Sequence, residues 1–120
     1  MDIYKTQAQL FKALMHPTRL AILEELRGGE QCVCHMEAVF GLRQAYISQH
    51  LMVLRDAGLV IDRRDGWNIY YRVTKPQVFA LLDVGQTMVG GKPSKRKLAH
   101  RAELDNCLCP RCNPSPVVVA

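Results

Sequence analysis

The sequence predicts a mainly α domain carrying one β-hairpin, and three observations support that reading. Apolar residues recur at helical spacing in five successive segments. A single Asp65-Gly66 pair lies between β-prone runs, the strongest short-range signal for a tight hairpin. Pro17, Gly28-Gly29, Gly41 and Gly58 fall at the segment boundaries, where helices start or stop.

Ile3, Leu10, Phe11, Ala13, Leu14 and Met15 predict a first amphipathic helix over residues 3–15. His16-Pro17-Thr18-Arg19 interrupts it, and Pro17 suits the first turn of a second helix because its missing N–H would be unpaired there. That helix carries Leu20, Ile22, Leu23 and Leu26 and stops at Gly28-Gly29. A short apolar helix is expected from Cys32 to Phe40, closed by Gly41. Residues 43–57 form the next, with Ile47, Leu51, Leu54 and Ala57 on one face and Gly58 at its end. Leu59-Val60-Ile61, a turn-like Arg63-Arg64-Asp65-Gly66 and the run Trp67 to Val73 make the hairpin. Lys75-Pro76 opens a last helix to about residue 89.

This organisation divides the chain into a folded domain over residues 1–90 and a basic, cysteine-containing tail over 91–120. At 120 residues the core is modest and gains from oligomerisation. No stretch approaches the roughly 18 apolar residues of a membrane span. The first residues mix polar and charged groups rather than forming a signal peptide, so a cytoplasmic location is expected. The net charge of +5 favours an anionic partner, nucleic acid first. No phosphate-cradling glycine loop, H-E-x-x-H or nucleophile elbow is present, and an enzyme is not expected.

The order helix, helix, short helix, helix, hairpin, helix describes a winged helix-turn-helix, with Phe40-Gly41-Leu42 as the tight turn. Opposite its leucines, the helix over 43–57 presents Arg43, Gln44, Tyr46, Ser48, Gln49, His50 and Arg55 for double-stranded DNA. Arg63 and Arg64 at the hairpin suit a phosphate backbone or a minor groove. Excess apolar residues on the first and last helices point to a homodimer, which would set two such helices about one DNA turn apart on a palindromic operator.

Cys32-Val33-Cys34-His35, Ile47-Ser48-Gln49-His50-Leu51, Leu54-Arg55-Asp56-Ala57-Gly58-Leu59-Val60 and Tyr70-Tyr71-Arg72-Val73 together resemble ArsR/SmtB-type metalloregulatory repressors. His16-Pro17-Thr18-Arg19-Leu20-Ala21-Ile22-Leu23 is similar to that family's second-helix opening, and the likeness spans residues 8–82. It implies a homodimeric repressor that releases its operator when metal binds. It also implies fold-packing or capping roles for His16 and His50. Arg43 stands where the family usually has a capping residue such as serine. Asp83 is not followed by the histidine of the family's last-helix site, and His100 and Glu103 lie too far along to complete it.

Five cysteines in a reducing compartment read as metal or redox chemistry rather than a disulfide scaffold. Cys32 and Cys34 match the family's C-V-C-D sensor signature with His35 in place of aspartate. On a regular helix, residues two apart diverge around the axis, so both sulfurs can meet only if the first turn is irregular. Trivalent arsenic or antimony favours three thiolates, whereas cadmium, lead or zinc takes three or four soft ligands. The arsenic-type members often place a further cysteine where this chain has Glu37. The tail's Cys107, Cys109 and Cys112 can complete the Cys32/Cys34 site, within or between subunits, or form a trithiolate of their own.

The leading expectation is therefore a repressor relieved by As(III) or Sb(III). A Cd, Pb or Zn sensor of the same fold, a thiol redox or polysulfide regulator, and a DNA-free metallochaperone or thiol buffer stand beside it. Steep salt dependence of duplex binding separates the repressors from the last.

Overall fold

The structure is a computed structural model that describes residues 2–91. Its elements are α1 (Ile3–Leu14), α2 (Pro17–Leu26), β1 (Gln31–Cys32), α3 (Val33–Phe40), α4 (Gln44–Asp56), β2 (Val60–Asp65), β3 (Asn68–Val73) and α5 (Gln77–Met88). The tail, with Cys107, Cys109 and Cys112, lies outside the described residues.

Local chemistry sets the helix ends. The Asp2 carboxylate accepts the Tyr4 N–H at 2.9 Å and starts α1. His16 Nδ1 accepts the Thr18 N–H at 3.1 Å and starts α2, with Pro17 in its first turn. The expected capping role of His16 is thus what the structure contains. Gly41 ends α3 in the left-handed region, φ 64°, and its N–H donates to the Glu37 carbonyl at 2.9 Å. Arg43, by contrast, begins α4 with no side-chain bond to the exposed first-turn amides.

The core lies where α2, α3 and α4 meet the sheet and α5. Ile22, Leu23, Met36, Ile47, Leu51, Leu54 and Leu59 are almost fully enclosed, joined by Val60, Tyr71, Val78 and Leu82. Ile47, Leu51 and Leu54 come from one face of α4, as their spacing predicts, so the opposite face is left for another partner. Truncation of Leu51 to alanine is expected to destabilise by about 2–5 kcal/mol.

Two features depart from the expected pattern. The sheet has three strands in the order β1-β3-β2, all neighbours antiparallel. The short β1, invisible to any two-residue periodicity, pairs Gln31 with Tyr71 and Cys32 with Tyr70. The hairpin turn also sits two residues later than expected. Arg63 and Arg64 belong to β2, Asp65 pairs with Asn68, and Gly66-Trp67 forms the loop with Gly66 at φ 61°. Glycine there allows the chain to reverse within two residues, and Trp67 is drawn out of the strand into the turn.

Candidate DNA interface and thiol site

The outward face of α4 exposes Arg43, Gln44, Tyr46, Gln49 and Arg55, while Ser48 and His50 are half-buried. His50 is turned toward α2. Its ring lies 4.2 Å from that of His16 and meets Tyr46 edge-on at 4.8 Å. Burial, then the nearness of His16 and Arg19, lowers its pKa from the ordinary 6.5. His50 therefore braces α4 on the start of α2, and the exposed polar face of α4 is carried by its neighbours.

The arginines of the hairpin divide by strand alternation. Arg63 shares a sheet face with Tyr70, stacks 4.8 Å over that ring and makes a two-point ion pair with Glu30 at 2.6 and 3.1 Å. Arg64 lies on the other face with Asp62, whose carboxylate stands 3.9 Å from Arg55 of α4. Arg64 is exposed on the α4 side of the wing, and Arg63 is engaged on the far side.

At the start of α3, Cys32 and Cys34 are joined as a disulfide, with Cα atoms 5.3 Å apart. The divergence expected on a regular helix does not arise because Cys32 is not helical. It ends β1 with φ −82° and ψ 159°, and only Cys34 stands inside the first turn. Cys32 Sγ accepts the His35 N–H at 3.1 Å and so caps α3. Cys32 is 1% exposed and packs on Tyr70, with the half-buried Cys34 and Ala38 around it. The His35 ring sets Nε2 3.1 Å from the Glu25 carboxylate of α2. Among the described residues no group of three or more His, Cys, Asp or Glu side chains is arranged to hold a metal.

Asp83 is occupied. Arg27, at the end of α2, reaches it at 2.7 Å, also holds Glu24 at 2.9 Å, and rests against the Phe79 ring. Both carboxylates, Glu24 first, raise the Arg27 pKa above its ordinary value. Sequence reasoning missed this clasp, because nothing in the spacing of residues 27 and 83 signals it. It also missed Trp67 as a loop residue.

A three-stranded wing beside a helix with an apolar inner face and a polar outer face defines a winged helix-turn-helix DNA-binding protein. The family description "Bacterial regulatory protein, arsR family" matches residues 16–62. An uncharacterised HTH-type transcriptional regulator of Mycobacterium tuberculosis strain H37Rv is 38% identical over 95 residues, covering 78% of this chain and 83% of that one. Its crystal structure aligns with a TM-score of 0.66 at 37% identity, over 75% of this chain and 91% of that chain. The arsenical resistance operon repressor of Escherichia coli K12 is 45% identical over 69 residues, 55% of this chain and 57% of its own length. The solution structure of a homodimeric winged helix-turn-helix DNA-binding domain from Mycobacterium bovis matches with a TM-score of 0.65 at 32% identity, over 73% of this chain and 82% of that chain. The chain belongs to the arsR family of bacterial regulatory proteins. It is a DNA-binding transcriptional regulator and not an enzyme.

Proposed function

We propose that the chain is a homodimeric repressor that holds a palindromic operator through α4 and the wing, and releases it when As(III) or Sb(III) is captured by cysteine thiolates. The observation that carries this reading is the meeting of the Cys32 and Cys34 sulfurs at the joint between β1 and α3. In reduced form the pair supplies two thiolates at chelating separation. A third is taken from Cys107, Cys109 or Cys112 of the tail, which provides the ligand that Glu37 does not. The domain over 1–90 reads DNA and dimerises, and the tail over 91–120 serves the thiol site.

Release follows from what Cys32 already does. Its sulfur caps α3 through the His35 N–H, and its backbone belongs to the wing sheet opposite Tyr70. Drawing that sulfur into a trithiolate removes the cap and pulls on both α3, which supports α4, and the Tyr70 side of the wing. Gln44, Tyr46, Ser48, Gln49, Arg43 and Arg55 meet bases or phosphates from α4, with Arg64 beside them. His50 and Arg63 act by positioning, since His50 packs on His16 and Arg63 is held by Glu30 and the Tyr70 ring. The dimer is supported by exposed Phe11, Val84 and Met88, which border an apolar groove of about 750 Å³ between α1, α2 and α5, and by Ile3 and Met15, exposed at the two ends of α1.

A second reading rests on the disulfide itself. Oxidation of Cys32 and Cys34 transfers two electrons and two protons to an acceptor such as a polysulfide and locks the same joint. Arsenite titrated against a complex of the reduced protein with duplex separates the two. Displacement without oxidant, abolished in Cys32→Ser with Cys34→Ser, supports thiolate capture. Displacement by polysulfide alone supports the redox switch. Cadmium, lead and zinc tested alongside, by thiolate charge-transfer absorption, rank the soft ions.

A further inference from the structure

We propose that Trp67 is a DNA contact, an apolar wedge at the wing tip that enters the minor groove flanking each site read by α4. The inference rests on the reading that α4 and the hairpin face the same duplex.

Trp67 is fully exposed, 101% by relative area, in a two-residue loop closed by the Asp65–Asn68 pair. The third strand does not reach it. β1 covers β3 only at Tyr70 and Tyr71, so the segment from Arg64 to Ile69 projects as a two-stranded ribbon with the indole at its end. Phe11 of α1 and Val84 and Met88 of α5, also exposed, border a shared groove; Trp67 is outside that groove. An indole in water forgoes the favourable burial of one of the largest apolar surfaces a side chain offers. Such exposure at a loop tip favours an occupant that arrives from outside.

The neighbours identify that occupant as DNA. Strand alternation puts Arg64 on the hairpin face shared with Asp62, and Asp62 adjoins Arg55 of α4. A line therefore runs from the outer face of α4 through Arg55, its partner Asp62 and Arg64 to Trp67, with two arginines to one carboxylate and an apolar end. Arg63 is excluded from it by Glu30 and Tyr70. Arginine beside an apolar side chain suits a minor groove: the cation answers its negative potential, and the apolar surface wedges at a base step. Specificity then arises at positions α4 does not touch, with preference for readily unstacked pyrimidine–purine steps.

The chain holds one tryptophan, so its emission reports on this residue alone. The probe is a duplex enriched from a random pool by the wild-type protein, with occupancy followed independently by gel shift. Emission is expected to be quenched and blue-shifted at full occupancy, and to recover as netropsin displaces the wing from the minor groove. Trp67→Ala is expected to bind roughly tenfold more weakly, with an unchanged thermal midpoint and an unchanged dependence on salt. Trp67→Phe retains most of the affinity. Full occupancy with unaltered emission overturns the proposal, as does wild-type affinity in Trp67→Ala or a lowered thermal midpoint in that variant. Gln44→Ala separates the two readings. If it leaves affinity unchanged, α4 does not face the duplex and the underlying reading fails. If it weakens binding while Trp67 stays silent, only the wedge fails.

Discussion

Cys32 serves two elements at once, as the last residue of β1 and as the cap of α3, and its sulfur is the accepting atom. Serine retains an acceptor in that position, whereas alanine does not. Cys32→Ser is therefore expected to unfold near the wild-type urea midpoint while losing its response to arsenite. Cys32→Ala should in addition lose about 1 kcal/mol of stability. Equal stability of the two variants would show that the sulfur does not cap. Arg43 presents the converse trade. It starts α4 without a side-chain cap and remains exposed. Arg43→Ser is expected to stabilise the fold by about 1 kcal/mol and to weaken duplex binding. The slope of log affinity against log salt should fall by about one contact if Arg43 meets a phosphate.

At the scale of elements, α4 is held on two sides. Its leucines enter the core, and His50 leans on His16 at the start of α2. Because the folded-state pKa of His50 lies below the ordinary 6.5, the unfolded chain takes up the proton first as pH falls. This contribution to stability is fully present above pH 6.5 and is lost as pH falls from there toward the lowered value. Denaturant midpoints from pH 8 to 5 should decline in the wild type more than in His50→Gln, since glutamine keeps a polar side chain and removes the titration. Parallel profiles would show that the packed ring does not govern the acid limb. The Arg27 clasp ties α2 to α5 in the same way that His50 ties α4 to α2, and it leaves Asp83 committed to structure.

At the scale of the whole molecule, α1 and α5 leave apolar side chains exposed among the described residues. Phe11 and Met88 border the same groove, and both are exposed. A second copy would cover them and place two copies of α4 on one duplex. Phe11→Glu with Met88→Glu is expected to sediment as a monomer at micromolar concentration. It should lose roughly a hundredfold or more in operator affinity, because two linked contacts then become independent. A dimer that survives both changes would move the interface elsewhere.

The helices, the hairpin and the polar face of α4 were legible in the chain, because each is written in local periodicity or in a glycine, proline or capping residue at a boundary. The pairing of Cys32 with Cys34 as a chemically meaningful unit was legible too, from spacing and resemblance. Tertiary structure decided what no local pattern encodes. It turned Arg63 back onto Glu30 and Tyr70, drew Trp67 into the loop, packed His50 against His16, and committed Asp83 to Arg27. It also brought the two sulfurs together by ending a strand at Cys32 and beginning a helix after it. The physical reason is common to all five. Each depends on contacts between elements or on a strand only two residues long, and neither leaves a repeat in the chain that periodicity can detect.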